Sequence, residues 1–261
     1  YSGEFPDITN AYAWFTDKLQ IVGPNAAPYT MPHLLDIDKD FESLVNSTIP
    51  EMGTGMSGLK VLVKEIDEDS IDVGSRLASA MADAKQYPGV PQLVLDNLTG
   101  EILNVVYEND KLYLKTLMSI HIDTCGETVE TPLTIESDGT RRIIEYMPLL
   151  YAVTRHDAVY IVDEVERSIH PILIKDIINK LSKSTDTKGQ LIFTTHESAL
   201  LDQDIFRPDE IWFAQKDTDQ ATQLYPLSDF NIHKTANIEN GYLNGRYGGI
   251  PFLSNLKDLH W

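Results

Sequence analysis

The sequence predicts a layered α/β fold, with helices covering a largely parallel sheet, and three stretches carry the prediction. Residues 158–164, AVYIVDE, and 190–196, QLIFTTH, are short apolar runs ending in polar or charged side chains, the pattern of buried strands that feed a sheet edge. Between them PILIKDIINKLSK begins on a proline, which is favoured in the first turn of a helix. It offers Ile174, Ile177, Ile178 and Leu181 for packing. Strand, helix, strand is the unit from which a parallel sheet is built.

A chain of 261 residues accommodates one large α/β domain, or a main domain with a smaller satellite. At 42% hydrophobic residues it can fill a core, which argues against general disorder. Lys and Arg number 21 against 40 Asp and Glu, a formal charge of −19. That balance gives no broad basic surface, so nucleic acid as a partner has no support from net charge, although a locally basic groove stays open. Cys125 is the only cysteine, which excludes an intrachain disulfide and a multi-cysteine metal site and leaves a free thiol. No run approaches the ~18 apolar residues of a membrane span. The opening YSGEFPDITN has neither a basic leader with an apolar run nor a methionine, and reads as neither a secretion signal nor a natural N-terminus. Cytoplasmic residence and a truncated or processed chain are the expectations.

Along the chain, TNAYAWFTDKLQ places Tyr12, Phe15 and Leu19 at helical spacing behind a Thr or Asn cap, predicting an amphipathic helix over 9–20. GPNAAPY is a turn region, and DIDKDFESLVNST a second helix with Ile37, Phe41, Leu44 and Val45 on one face. GTGMSGLK invites comparison with the phosphate-binding pattern G-x-x-x-x-G-K-[ST]. It is out of register by one residue and lacks the hydroxyl after Lys60, so an ordinary loop is expected. LKVLVKEI reads as a strand, GSRLASAMADA as a helix, and residues 101–107 with 111–117 as a hairpin around Glu108, Asn109 and Asp110. The pattern change divides the chain into a mixed α/β region, 1–132, with candidate satellite elements, and a lobe 133–261 that holds the chemistry. RRIIEYMPLLYAV carries a helical stripe despite Pro148, and IWFAQK with TQLYPL predicts a β pair near the end.

The chemistry concentrates at the ends of the two buried strands. Asp163 and Glu164 follow Tyr160–Val162 and suit a site in which one carboxylate holds a water ligand of Mg²⁺ and the other orients or deprotonates an attacking water. A solvated turn explains the same pair. Upstream, in ESDGT, Ser137 offers a hydroxyl and Gly139 an unobstructed amide at a helix start, which favours a phosphate; a capped turn explains those letters too. His196, at the end of QLIFTTH, can donate to a terminal phosphate or serve as a structural hydrogen-bonder. Open α/β sheets bind ligands at the carboxyl ends of their strands, so one crevice can collect Asp163, Glu164 and His196.

The segments TIESDGTRRIIEYMPLL, VYIVDEVERSIHPILIKDII, LIFTTHESALLD and ENGYLNGRYGGIPFL resemble those of bacterial ATP-binding proteins of the AAA-15/AAA-21-type group. These are ABC/SMC-like ATPases, several linked to abortive infection or other anti-phage defence. The resemblance covers residues 133–253 and extends more weakly back to AYAWFTDKL. It implies a P-loop NTPase-like layered fold of ABC/SMC type, incomplete here, with an additional β-rich or mixed region and a C-terminal ATPase lobe over 133–261. Ser137, Asp138, Gly139 and Thr140 stand in for the ABC signature, which contacts the γ-phosphate of ATP on the opposing subunit. Asp163 and Glu164 match the Walker B aspartate and the catalytic glutamate. Ser168, Ile169 and His170 fall in the D-loop region, and His196 matches the H-switch. The cofactors implied are ATP and Mg²⁺, with Asp163 as the metal-associated residue. The partner implied is a second copy with ATP at the interface, and a nuclease or toxin is a candidate effector. The family's N-terminal strand and GKS- or GKT-containing loop do not appear in this sequence, so the chain alone is expected to be inactive. A noncatalytic ATPase-like interaction or regulatory module is therefore the alternative. His170 suits a partner contact or a helix cap, Arg141 and Arg142 suit phosphate or pairing with Glu136 or Glu145, and Arg246 suits a surface or partner contact.

Overall fold

A computed structural model describes residues 5–24, 30–68, 75–96, 100–233 and 235–250. In chain order its elements are α1 (Pro6–Ala13), β1 (Leu19–Val22), α2 (Met31–Ile37), α3 (Lys39–Thr48), β2 (Gly58–Glu65), α4 (Arg76–Gln86), β3 (Gln92–Leu95), β4 (Ile102–Glu108) and β5 (Lys111–Ile122). They continue with β6 (Thr128–Pro132), α5 (Asp138–Arg155), β7 (Val159–Val162), α6 (Pro171–Ser182), β8 (Gln190–Phe193), β9 (Trp212–Lys216), β10 (Thr222–Pro226) and α7 (Ile238–Leu243). The chain forms two compact units, Tyr1–Ile169 with Asp186–Thr194, and His170–Thr185 with Thr195–Trp261.

The first unit holds a three-stranded parallel sheet in the order β1-β7-β8. Val22, Val162 and Phe193 stand in one row at its carboxyl edge. Val159, Tyr160 and Val162 are buried, as the apolar run predicts. The helix expected over 9–20 stops early: α1 gives way to a π turn, Trp14–Lys18, and then to β1. Leu19 fits the helical spacing, yet parallel pairing with Val159 overrides that local preference. α1 itself buries no residue among those described.

An antiparallel sheet in the order β2-β5-β4-β3, with β6 on the other side of part of β5, completes the first unit's strands. The predicted hairpin is β4–β5, and its turn residues Asn109 and Asp110 have φ of 50° and 62°. Positive φ at both central positions matches the right-handed twist of the flanking strands. α4 covers this sheet, packing Ala80, Met81 and Ala84 against Val94, Val105 and Leu112. The second predicted helix divides at Asp38, whose side chain accepts from the Asp40 and Phe41 amides at 3.0 Å and so caps α3. Phe41 and Val45 are buried, and the Tyr151 ring of α5 meets Phe41 edge-on at 5.2 Å while its hydroxyl donates to Asp38 Oδ2 at 2.9 Å. GTGMSGLK runs into β2, which pairs antiparallel with β5, and Lys60 is bound to Glu130 at 2.7 Å. A phosphate loop opens a helix, so this stretch is an ordinary connection, as expected.

The second unit packs Ile211, Phe213, Leu227, Ile238 and Tyr247 around the β9–β10 pair, which is the predicted terminal β pair. Its glycine-rich tail has a packing role. A Cβ on Gly241 would come within 2.7 Å of the Tyr247 ring, which itself stacks on Phe213 at 5.9 Å. Arg246 is exposed beside that buried tyrosine, its guanidinium carbon 5.8 Å from the ring centre.

Candidate functional site

Ser137 is the N-cap of α5. Its Oγ accepts from the Thr140 amide at 3.1 Å and lies 2.9 Å from Thr140 Oγ1. Thr140 is buried, and Asp138 adds a first-turn carboxylate that complements the helix dipole and pairs with Arg141. The capped turn is therefore formed, and Ser137 is still exposed at the helix start. Arg142 Nη1 reaches Glu145 at 3.2 Å, with its guanidinium over the Tyr146 ring at 4.7 Å, which is the expected pairing; Arg141 pairs with Asp138 in place of the expected Glu136 or Glu145.

Gly139 has a requirement that the sequence does not announce. A Cβ there would stand 2.6 Å from the Ser168 carbonyl oxygen, so only glycine lets the first turn of α5 approach the loop after β7. Gly139→Ala is expected to destabilise the protein by about 1–3 kcal/mol through overpacking. In an open helix the same change stabilises by up to about 1 kcal/mol. Urea unfolding reads the sign directly, and a raised midpoint would contradict the close approach.

Asp163 and Glu164 leave β7 under tight backbone control. The Asp163 amide donates to Val22 O at 2.9 Å, and the Val165 amide to Thr194 O at 3.1 Å. Thr194, one residue past β8, donates its hydroxyl to Asp163 Oδ1 and accepts from the Glu164 amide at 2.9 Å. Glu164 has φ of 52° and Ser168 φ of 62°, left-handed conformations that a non-glycine residue adopts only where its surroundings enforce them. Here the enforcement is visible: Arg167 N bonds Glu164 O at 3.0 Å, Ile169 N bonds Glu166 O at 2.8 Å, and the Val165 and Ile169 side chains are buried. Tyr146 of α5 donates to Val165 O at 3.0 Å, tying the helix to the same turn. Burial pushes that phenol's pKa up, against the pull of Arg142, and keeps the donor proton in place.

One unit thus brings together Ser137 to Thr140, Asp163, Glu164 and the loop through Ser168. His170 and His196 belong to the second unit. There the His170 ring accepts from the Ile172 amide at 3.3 Å, the capping role that its place before Pro171 allows, and His196 is exposed. Thr194 and Tyr146 are residues that sequence reasoning missed. The first hydroxyl of the FTTH strand end was the available signal for Thr194; nothing local marks Tyr146.

The donor set discriminates among metals. Among the described residues no group of three or more His, Cys, Asp or Glu side chains is placed to hold an ion. Zinc, which takes most of its ligands from protein, does not fit. The hard carboxylate oxygens of the exposed Asp163, beside the half-buried Glu164, fit Mg²⁺, which keeps several waters and takes other ligands from phosphate.

A family model described as AAA domain, putative AbiEii toxin, Type IV TA system matches residues 31–202. No curated protein matches the chain. The matched span contains every residue of the carboxylate turn and of the α5 start. An AAA domain carries a general ATPase-type function, uses a nucleotide, usually with Mg²⁺, and often oligomerises. No helix among the described residues is long and apolar enough to cross a membrane.

Proposed function

Because the chain belongs to the AAA-domain family described as putative AbiEii toxin, Type IV TA system, we propose that it supplies the hydrolytic carboxylates and the trans contacts of an ABC/SMC-like ATP sandwich. The observation that carries this reading is the hold of Thr194 on both Asp163 and the Glu164 backbone. A solvated turn has no need of that constraint, nor of the left-handed Glu164 it accompanies.

In this reading Asp163 holds a water ligand of Mg²⁺, and the ion, when bound, neutralises charge on the phosphoryl oxygens. Glu164 orients and deprotonates the attacking water. Ser137 and the Gly139 amide meet the terminal phosphate of a nucleotide bound by a second copy, at a helix end whose dipole favours the anion. Asp138 and Thr140 keep that helix end in shape, and His196 donates to the terminal phosphoryl group. Loss of that group weakens the contacts between copies and releases them. A role in anti-phage defence, a nuclease or toxin effector, cytoplasmic residence and the division at 132/133 are parts of the same proposal.

The test uses the complete protein. Ser137→Arg places a bulky cation at the trans face, and ATP-dependent association, followed by analytical ultracentrifugation, is expected to weaken at least tenfold. Unchanged association removes the trans role. The second reading, an ATPase-like regulatory module, draws on GTGMSGLK entering a strand with Lys60 engaged by Glu130. Multiple-turnover ATP hydrolysis by this 261-residue chain would eliminate it.

A further inference from the structure

β5 is a twelve-residue strand, and Ser119 and His121 near its end stand two positions apart, on one side of the sheet. Both reach the same oxygen. Ser119 Oγ is 2.7 Å from Glu136 Oε1, and His121 Nε2 is also 2.7 Å from it. Ser119 is fully buried and the Glu136 side chain only 11% exposed, so little water competes for the carboxylate. Ser119 Oγ also lies 2.8 Å from Thr131 Oγ1 on β6, and His121 Nδ1 faces the Gly55 carbonyl at 3.2 Å. Ser119 Oγ has two acceptors in reach, Glu136 Oε1 and the Thr131 carbonyl at 3.1 Å; its one proton goes to the shorter contact, with Glu136, so the Thr131 hydroxyl takes the donor role toward Ser119.

Glu136 directly precedes Ser137, the cap of α5. The carboxylate is therefore fastened to the antiparallel sheet while its backbone leads into the helix start. A cavity of about 120 Å³ is lined in part by Thr116 and Leu117 of β5, by Leu133 and Thr134, and by Arg141 and Ile144 of α5. The hydrogen bonds to Glu136 join β5 to the residue that leads into α5.

We propose that Glu136, held by Ser119 and His121, is a positioning residue through which the antiparallel sheet sets Ser137 for its contact with the nucleotide of a second copy. The inference rests on the sandwich reading above. The sheet thereby shares in placing Ser137, alongside the loop after β7 that Gly139 approaches.

The experiment compares Glu136→Ala, Glu136→Gln, His121→Ala and the His121→Ala/Glu136→Ala pair in the complete protein. Association with ATP, binding of a fluorescent ATP analogue to the monomer, and thermal unfolding are measured. Loss of a charge-assisted bond predicts that Glu136→Ala weakens association by about tenfold or more, with analogue binding within about twofold of the unchanged protein. Glu136→Gln, which keeps an acceptor oxygen, is expected to restore most of the loss. The double variant is expected to be no worse than Glu136→Ala, because the two residues act through one bond. Normal association by Glu136→Ala overturns the proposal. So does an equal loss in Gln and Ala variants that tracks a common drop in unfolding temperature, the mark of a merely structural role. Ser137→Arg separates the two failures: if it abolishes association while Glu136→Ala is silent, only the positioning role falls, and if both are silent the sandwich reading falls with it.

Discussion

Glu164→Gln is expected to lower phosphate release by the complete protein about 10²- to 10⁴-fold, the range that general-base catalysis supplies, and to leave ATP-dependent association intact or longer-lived. Glutamine matches glutamate in volume, and the hydrogen bond from the residue 164 amide to Thr194 is a backbone bond that the substitution preserves. The left-handed turn is enforced by main-chain bonds and by the buried Val165 and Ile169, so geometry is retained while basicity is lost. The expected signature is a split: hydrolysis collapses, and the associated state, which needs hydrolysis to dissociate, accumulates. Undiminished turnover would remove Glu164 from the hydrolytic role. A parallel loss of association and turnover would show that residue 164 shapes the turn instead.

The parts of this site that were legible in the sequence are those with local causes. VYIV is an apolar run, Ser137 is a cap with its acceptor geometry built in, and Pro171 opens α6 where a first-turn proline belongs. What escaped depends on residues distant in sequence. β1 hides inside a helical pattern because only its pairing with β7, far along the chain, makes it a strand. Gly139 reads as one more turn glycine until Ser168 stands against it. β6 is short and largely exposed, and β3, only four residues long, alternates in burial while its letters, QLVL, do not alternate between polar and apolar, so neither shows the sequence pattern that marks a half-buried strand. The division into two units crosses the same strand–helix–strand succession that predicts the fold, and no change of composition accompanies it.

Lys115 is the least legible residue of all, since KLYLKTL reads only as one strand of a hairpin, and it carries the largest stability prediction. Its side chain is 1% exposed. The ammonium donates to Asp36 at 2.8 Å, to both Glu108 oxygens at 3.0 and 3.2 Å and to His33 Nδ1 at 3.3 Å. Beside it the His33 amide donates to the fully buried Asn104 side chain. Lys115→Met removes the ammonium that two carboxylates share and is expected to cost about 3 kcal/mol, the lower end for a broken buried pair because Asp36 and Glu108 keep some contact with water. The pH dependence makes the test specific. Burial, then the Lys115 charge, holds the His33 pKa below its ordinary 6.5, against the opposing pull of Glu108, Asp36 and the Gly89 carbonyl. The unfolded chain therefore binds a proton at this position more readily than the folded one, and stability falls as pH drops below about 6.5. In Lys115→Met the charge that opposes protonation is gone, and the two carboxylates that favour it remain. His33 can then take a proton and supply part of the missing cation. Urea midpoints between pH 7.5 and pH 5.5 are expected to converge for the variant and the unchanged protein. Midpoints that stay parallel across that range would mean that His33 and Lys115 do not share one electrostatic site.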